Sequence, residues 1–316
     1  MLSRKNKLRL MKVISLFSVV RGYNVAVIIL AQYLSAIFIL APHDLRTLQI
    51  ILDPNLFVLV LASGLAIASG YIINNFYDSR KDLINRPNKS MLDRLVSQKT
   101  KLQVYFTLNF IVALMGFFIS WRVVLFFSCY IFLIWFYSHK LKKYPIIGNL
   151  TASLLAILPF FAILLYYVKK GALHQFDDMQ IEIIFAHAFF LYLLILIREM
   201  VKDLENMAGD FANGYKTIPV VHGEKTSKRL ISVLTALTVI PAYLLIDIYH
   251  VGYMDIYFYV CLIALLFFIM RLWTAAEKAE FLKLHNLLKL LIVAGVFCIV
   301  LIDPSVLLHG RAMLNV

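Results

Sequence analysis

The sequence predicts an all-α membrane protein: one bundle of nine transmembrane helices with its N-terminus on the cytoplasmic side. Three observations predict it. The 316 residues are 62% hydrophobic and only 16% charged, with a mean hydropathy of +0.82. Soluble domains are nearer 45–50% apolar and about 25% charged. The apolar residues fall into nine runs separated by charged connections. The 31 Lys and Arg are also unevenly divided between alternate connections. These features exclude an ordinary soluble domain, a disordered chain and a disulfide scaffold. Residues 1–316 read as a single domain.

The first run, Gly22–His43, follows a basic stretch, Met1–Lys12. It is too long for the apolar core of a signal peptide, and no small-residue cleavage site follows it, so it reads as a first transmembrane helix. The second, Leu56–Ile73, and third, Gln103–Trp121, approach the roughly 20 residues a span needs. The fourth, Val123–Ser138, is shorter between charges, and the fifth, Tyr144–Val168, is again full length. The sixth, seventh and eighth, Ile183–Ile197, Leu230–Ile246 and Ile256–Met270, are short. Short runs extend by snorkelling basic ends or by entering polar turns buried in protein. The ninth, His285–Ile302, carries one charge, Lys289.

The N-terminus and the connections after the second, fourth, sixth and eighth runs hold 24 Lys and Arg. The opposite side holds 5, and Arg21 and Lys289 lie within spans. Positive residues concentrate on the cytoplasmic side of membrane proteins. The asymmetry therefore orients the bundle and explains the net charge of +13 as topology and attraction to anionic membrane lipid, with no need of a nucleic-acid partner. The expected location is a bacterial or archaeal cell (inner) membrane, with the functional site facing the cytoplasm. Cys129, Cys261 and Cys298 lie singly in apolar runs and read as small buried hydrophobes.

The 18 Asp and Glu are few, so their clustering is informative. Asn74, Asp78 and Asp82 follow the second run at i, i+4 and i+8. Glu199, Asp203, Asn206 and Asp210 follow the sixth at i, i+4, i+7 and i+11. On helices each set lies on one face. Two helices thus carry oxygen ligands to the same membrane surface. Mg²⁺ prefers such ligands together with phosphate oxygens. Bare carboxylates repel a diphosphate, so cations are required by charge. Arg86, Lys89, Lys142 and Lys202 lie beside the stripes and suit the anion. Solvated helix ends explain either stripe alone, but ionisable groups beside the membrane on two helices are costly and mark function.

These residues resemble the UbiA superfamily of intramembrane prenyltransferases. Its first aspartate-rich motif resembles Asn74–Asp82 followed by Asn85-Arg86-Pro87, and its second resembles Lys202-Asp203 through Gly209-Asp210, Gly214 and Thr217-Ile218-Pro219. Tyr137-Ser138, Leu141-Lys142 and Gly148-Asn149 resemble the stretch between helices 4 and 5, and Arg21-Gly22-Tyr23-Asn24 resembles helix 1. The likeness runs from helix 1 to helix 7, and helices 8 and 9 match only as apolar segments. Two departures stand out. Asn75 occupies a place that is commonly aspartate, and so does Asn206, which removes a charge from the second stripe. Glu205 beside it points about 100° away.

The resemblance implies an allylic prenyl diphosphate donor, an Mg²⁺ cofactor and an acceptor taken from the membrane interface. It implies catalytic and metal roles for Asp78, Asp82, Asp203 and Asp210, with Asn74 and Asn206 as further metal ligands. It implies diphosphate contacts from Arg86, Lys89, Lys142, Lys202 and Tyr137, and substrate contacts from Arg21 and Asn24. Aromatic faces would stabilise the allylic cation, and the apolar bundle would exclude water; Phe76, Tyr77 and Tyr137 lie near the motifs, although packing is the plainer reading of each. His187 is a candidate base, although a buried core histidine is the plainer reading, and His139 and His222 carry no decisive argument. The pattern is closest to the branch whose lipid acceptor is geranylgeranylglyceryl phosphate. An aromatic acceptor of quinone synthesis, such as hydroxybenzoate, homogentisate or dihydroxynaphthoate, remains the alternative. A transporter using Pro159 and Pro241 to break helices is the competing class, and a non-catalytic isoprenoid binder is suggested only by Asn206. The sequence has no GxGxxG, P-loop or HExxH motif.

Overall fold

Backbone groups inside a bilayer must be satisfied within the chain, which a helix achieves alone. The computed structural model describes residues 4–40, 47–169 and 178–302. Among them nine helices are long and apolar enough to cross a membrane: α1 (Gly22–Leu40), α2 (Pro54–Asp78), α3 (Gln98–Ile119), α4 (Trp121–Lys143), α5 (Ile147–Tyr167), α6 (Met179–Ala212), α7 (Ile218–Ile248), α8 (Gly252–Thr274) and α9 (Lys278–Ile302). The described residues contain no strand. A helix at Arg4–Val19 precedes the bundle. The end of the first apolar run, 41–43, and residues 303–316 lie outside the described residues.

Local chemistry sets the helix ends. Asp53 accepts from the Asn55 and Leu56 amides at 3.0 and 3.4 Å, and Pro54 supplies a first turn that needs no amide donor. Ser97 caps α3, and Ser120, in extended backbone, closes α3 and caps α4. Glu277 and Glu280 form a capping box at the start of α9.

Pro159 lies inside α5 and lacks the amide that would bond the Leu155 carbonyl. Tyr130 of α4 donates its hydroxyl to that carbonyl at 3.2 Å. Gln32 of α1 donates to the Pro159 carbonyl at 2.9 Å. Neighbouring helices thus satisfy the irregular turn, as a membrane interior demands.

The buried side chains form two apolar clusters. One draws mainly on α1–α5, with Val112, Phe127 and Ile163 almost fully buried. The other draws on α6–α9, with Ile197, Phe258, Phe268 and Leu288 fully buried. α2 belongs to the first, and most of α6 to the second. The carboxylate-bearing ends of α2 and α6 therefore meet at the boundary.

The sixth apolar run, Ile183–Ile197, is only part of α6. The helix continues to Ala212 because its polar stripe faces protein rather than lipid. After α2 the chain turns at Ser79-Arg80 and forms two short helices, Lys81–Asn85 and Pro87–Asp93. Asp82 thus lies beyond a break, but Ser79 and Arg80 keep helical angles, and the stripe continues across it.

Asn75 fixes this connection. Its amide donates to Asp93 at 3.0 Å and accepts from Lys101 at 2.8 Å, while Ser18 donates to the same carboxylate at 2.8 Å. An aspartate at 75 would face Asp93 with a like charge. The first sequence departure therefore has a structural cause outside the cavity.

Gly295 of α9 lies against Tyr257 of α8, and an added Cβ would stand 2.6 Å from the phenol oxygen. That hydroxyl donates to the Leu291 carbonyl at 3.1 Å. Gly295→Val should therefore lower stability by about 1–3 kcal/mol, the usual cost of overfilling a packed interior. Thermal unfolding of the detergent-solubilised protein would register it, and an unchanged midpoint would contradict this packing.

Candidate active site

The boundary opens into a cavity of about 250 Å³. Its deep walls are apolar, with Ile28, Ile67, Ile134, Leu155 and Ile195. Its mouth is polar and is built by the ends of four spans. Asn74 and Asp78 come from α2, and Lys81, Asp82, Asn85 and Arg86 from the connection that follows. Tyr137, Ser138 and Lys142 close α4, and Asn149 opens α5. Arg198, Glu199, Lys202, Asp203 and Asn206 project from α6.

The connection approaches α6 closely because Gly209 has no side chain. A Cβ there would overlap the Asn85 amide. Lys278, at the start of α9, donates to the Asn85 carbonyl at 2.6 Å. Residue 85 is thus held from two helices.

Pairing orders the charges. Lys142 Nζ lies 2.7 Å from Asp78 Oδ1 and 3.2 Å from Asn74 Oδ1. Tyr215 donates its hydroxyl to the same Asp78 oxygen at 3.0 Å. Lys81 Nζ lies 2.9 Å from Asp210 Oδ1 and 4.5 Å from the centre of the Tyr215 ring. Asn149 donates to Asp203 at 2.7 Å, and Lys202 pairs with Glu199 at 2.5 Å. Arg86 pairs with buried Glu205 at 3.1 Å, and His285 Nδ1 lies 3.0 Å from the other Glu205 oxygen. Glu205 thus points away from the cavity, as its place on the helix predicts.

Burial opposes the Lys81 charge, but the Asp78 and Asp210 carboxylates outweigh it and hold its pKa above the usual lysine value. Burial, with the Asp78 charge, raises the Asp82 carboxyl. Burial and the same carboxylate raise the Tyr215 phenol, which therefore stays a donor.

Ten expected site residues line the cavity: Arg21, Asn74, Asp78, Asp82, Arg86, Tyr137, Lys142, Lys202, Asp203 and Asn206. Three do not. Asp210 is 1% exposed and sits behind the wall, held by Lys81 and by Thr217 at 3.4 Å. Lys89 stands 3.9 Å from Asp93, because the break at Arg86 carries it away. Asn24 instead donates to the Tyr71 hydroxyl at 3.4 Å. Tyr71 does line the cavity, with Arg21 5.0 Å from its ring centre. Among the described residues no three acids, histidines or cysteines converge into a preformed metal cluster.

The cavity's aromatic residues are tyrosines: 71, 130, 137 and 144. Phe76 and Tyr77 lie outside its lining. Among the described residues no histidine lines it. His187 instead bonds the Ile183 carbonyl at 2.9 Å and packs against Phe258. His139 stacks on Trp135.

Sequence spacing missed Lys81 and Tyr215. Lys81 is one residue from Asp82 and on an unbroken helix would point off the stripe. Tyr215 follows Gly214, whose φ of 70° turns the loop back over the site. Nothing local in the sequence gives that loop its direction.

The model of the UbiA prenyltransferase family matches residues 29–293. The chain is 31% identical to digeranylgeranylglyceryl phosphate synthase of Methanobrevibacter smithii over 258 residues, covering 79% of this chain and 83% of the relative. It is 28% identical to the same enzyme of Methanosphaera stadtmanae over 226 residues, covering 71% and 78%. A solved structure concerned with digeranylgeranylglyceryl phosphate synthase in membranes superimposes with a TM-score of 0.64 at 21% identity, covering 92% of this chain and 98% of the other. A UbiA homologue from Archaeoglobus fulgidus bound to DMAPP and Mg²⁺ gives 0.63 at 17% identity, with coverages of 90% and 99%. At those identities the likeness establishes the fold.

The Lys142–Asp78 pair is buried on both sides. Removing one partner from such a pair costs about 3–5 kcal/mol, because the other charge is left uncompensated. Lys142→Met should destabilise the protein toward the lower part of that range, since Lys81 and Tyr215 remain beside Asp78. The double variant Lys142→Met/Asp78→Asn should recover part of the loss. Thermal unfolding of the four proteins in a double-mutant cycle measures this, and strict additivity would contradict the coupling.

Proposed function

The chain belongs to the UbiA prenyltransferase family, and from that premise we propose that it transfers a geranylgeranyl group from geranylgeranyl diphosphate to the hydroxyl of geranylgeranylglyceryl phosphate, forming an ether. It is an integral, multi-pass membrane prenyltransferase. The observation that carries the substrate reading is the division of one cavity into a charged mouth and an apolar depth. The relatives named for this lipid product support the acceptor.

The donor set fits a hard cation. Asn74, Asp78, Asp82 and Asp203 offer oxygen, and among the described residues neither histidine nor cysteine lines the cavity. These four residues would hold Mg²⁺, which when bound supplies positive charge to the diphosphate oxygens. Arg86, Lys142 and Lys202 stand at the mouth, where they bind and orient phosphate oxygens. The isoprenoid chain lies along the apolar walls, which keep water from the allylic cation. Tyr71, Tyr130 and Tyr137 bring ring faces to the same space, each contributing roughly 0.5–2 kcal/mol to a cation held over it. A hydroxyl nucleophile attacking a formed cation needs only a nearby proton acceptor. Asp82 and Asp203 line the cavity and have no ion-pair partner among the described residues.

The uneven division of Lys and Arg in the sequence supports a mouth that faces the cytoplasm. Ala212→Cys, at the exposed end of α6, should react with an impermeant thiol reagent only after cells are opened. Labelling from outside intact cells would reverse the orientation.

The enzymatic test uses purified protein, radiolabelled geranylgeranyl diphosphate, Mg²⁺ and a panel containing the glyceryl phosphate lipid and the aromatic acceptors. Label should enter the diether lipid phosphate and should be lost on chelation of the metal. Asp78→Ala and Asp203→Ala should each reduce the rate by at least about 10²-fold, the scale of losing a main electrostatic stabiliser. Label only in a prenylated phenol or naphthol would overturn the acceptor. Full activity in both aspartate variants would overturn the site.

A further inference from the structure

We propose that Arg21, Tyr23, Lys89 and Lys289 form a second anion site, apart from the charged mouth between α2 and α6, and that it holds the phosphomonoester of the lipid acceptor. This rests on the prenyltransferase reading and names the residues that would select its acceptor.

Lys289 is the one charge in the ninth apolar run. An ionised side chain in a span is costly and marks a function. Lys289 of α9 donates to the Tyr23 hydroxyl of α1 at 3.3 Å and lies 4.5 Å from the centre of its ring. A phenol disperses this charge without neutralising it. The ammonium has further N–H groups to give, and Tyr23 keeps its own hydroxyl proton to donate.

Arg21 begins the same end of α1. Its φ of 50° and ψ of 52° lie in the left-handed region, which a residue with a Cβ occupies only where its surroundings hold it. The turn carries its guanidinium to the cavity, 5.0 Å from the centre of the Tyr71 ring. Lys89 of the connection after α2 is the third cation. Lys289, Arg21 and Lys89 all lie within electrostatic reach of the Tyr23 hydroxyl. Among the described residues neither Arg21 nor Lys289 has an ion-pair partner. Lys89 has only Asp93, at 3.9 Å, and that carboxylate already accepts from Ser18 and Asn75. Burial, and then the Arg21 charge, hold the Lys89 ammonium below the usual lysine value. Three cations with so little countercharge leave a place for an anion.

Charge and position choose that anion. A phosphomonoester carries close to two negative charges at neutral pH, and a diester headgroup carries one. Tyr23 is exposed at the start of a span, so the anion comes from a lipid. In the glyceryl phosphate acceptor the phosphate and the free hydroxyl sit on neighbouring carbons. A phosphate held by Arg21 therefore leaves the hydroxyl near Asp82, which lines the cavity with Arg21 and feels its charge.

The test measures acceptor binding without donor or metal. The full-length protein in phosphatidylcholine nanodiscs receives radiolabelled geranylgeranylglyceryl phosphate, and wild type should bind it saturably. Lys289→Met, which keeps the span apolar, should weaken binding at least about tenfold, the scale of losing one hydrogen bond to a charged group. Lys289→Arg, which keeps the charge, should bind as wild type does. Geranylgeranylglycerol, phosphatidylglycerol and inorganic phosphate should all compete far more weakly than the unlabelled lipid. In turnover, Lys289→Met should raise the KM for the acceptor and leave the KM for geranylgeranyl diphosphate in place. No saturable binding in wild type, or equal affinity in Lys289→Met, would overturn the proposal. Equal competition by geranylgeranylglycerol would show that the phosphate is not read. Equal competition by phosphatidylglycerol or by inorganic phosphate would give the cations to a common headgroup or to the free ion, and a raised KM for the diphosphate alone would give them to the donor. Each of these overturns the site and leaves the prenyltransferase reading intact. Failure of that reading shows separately, as a wild type that binds the lipid but transfers label to no acceptor.

Discussion

The structure depends on compensating charge at the end of an apolar bundle. An unpaired ion in such surroundings costs several kcal/mol, so each carboxylate that the site needs must be matched or opened to solvent. Besides the pair Lys202–Glu199 along α6, the matches at the cavity run between elements. Asp78 of α2 meets Lys142 of α4. Asp210 of α6 meets Lys81 of the connection after α2. Glu205 of α6 meets Arg86 on one side and His285 of α9 on the other. Each pair therefore fixes a distance between helix ends, and the cavity is the space these distances enclose.

The apolar part follows a complementary rule, because a backbone group without a partner is as costly as an ion without one. Pro159 breaks the ladder of α5 within the cavity wall, and Tyr130 and Gln32 restore its bonds from α4 and α1. Tyr130 thus serves the backbone with its hydroxyl while its ring faces the cavity. Gly209 and Gly295 do the equivalent for packing, each admitting a neighbour's polar side chain where a Cβ would collide. A charged mouth and a dry interior can then coexist within one small bundle.

The two asparagines that depart from the family pattern have different consequences. Asn75 lies outside the cavity and needs an amide, since it donates to Asp93 and accepts from Lys101. Asn206 lies in the cavity wall and lowers the negative charge of α6 next to a site where Lys81 raises the positive charge. The first is explained by the loop it anchors. The second changes the electrostatics that any diphosphate meets.

The sequence by itself determined the class of the protein, the number of its spans and most of the cavity's polar residues. Hydropathy and helical spacing are local properties, and the 3.6-residue repeat placed Asp78 and Asp82 on one face and Asp203 and Asn206 on another without reference to any partner. The tertiary structure alone decided which of these residues face a ligand and which face one another. Asp210 shares the α6 stripe but is turned from the cavity by Lys81 and Thr217. Lys89 follows the first motif but is carried away beyond the break at Arg86. Tyr215 reaches Asp78 across 137 residues of sequence. Such pairings come from the directions of loops and the meeting of distant helix ends, and no short-range pattern encodes them, because their energy exists only once both partners are buried together.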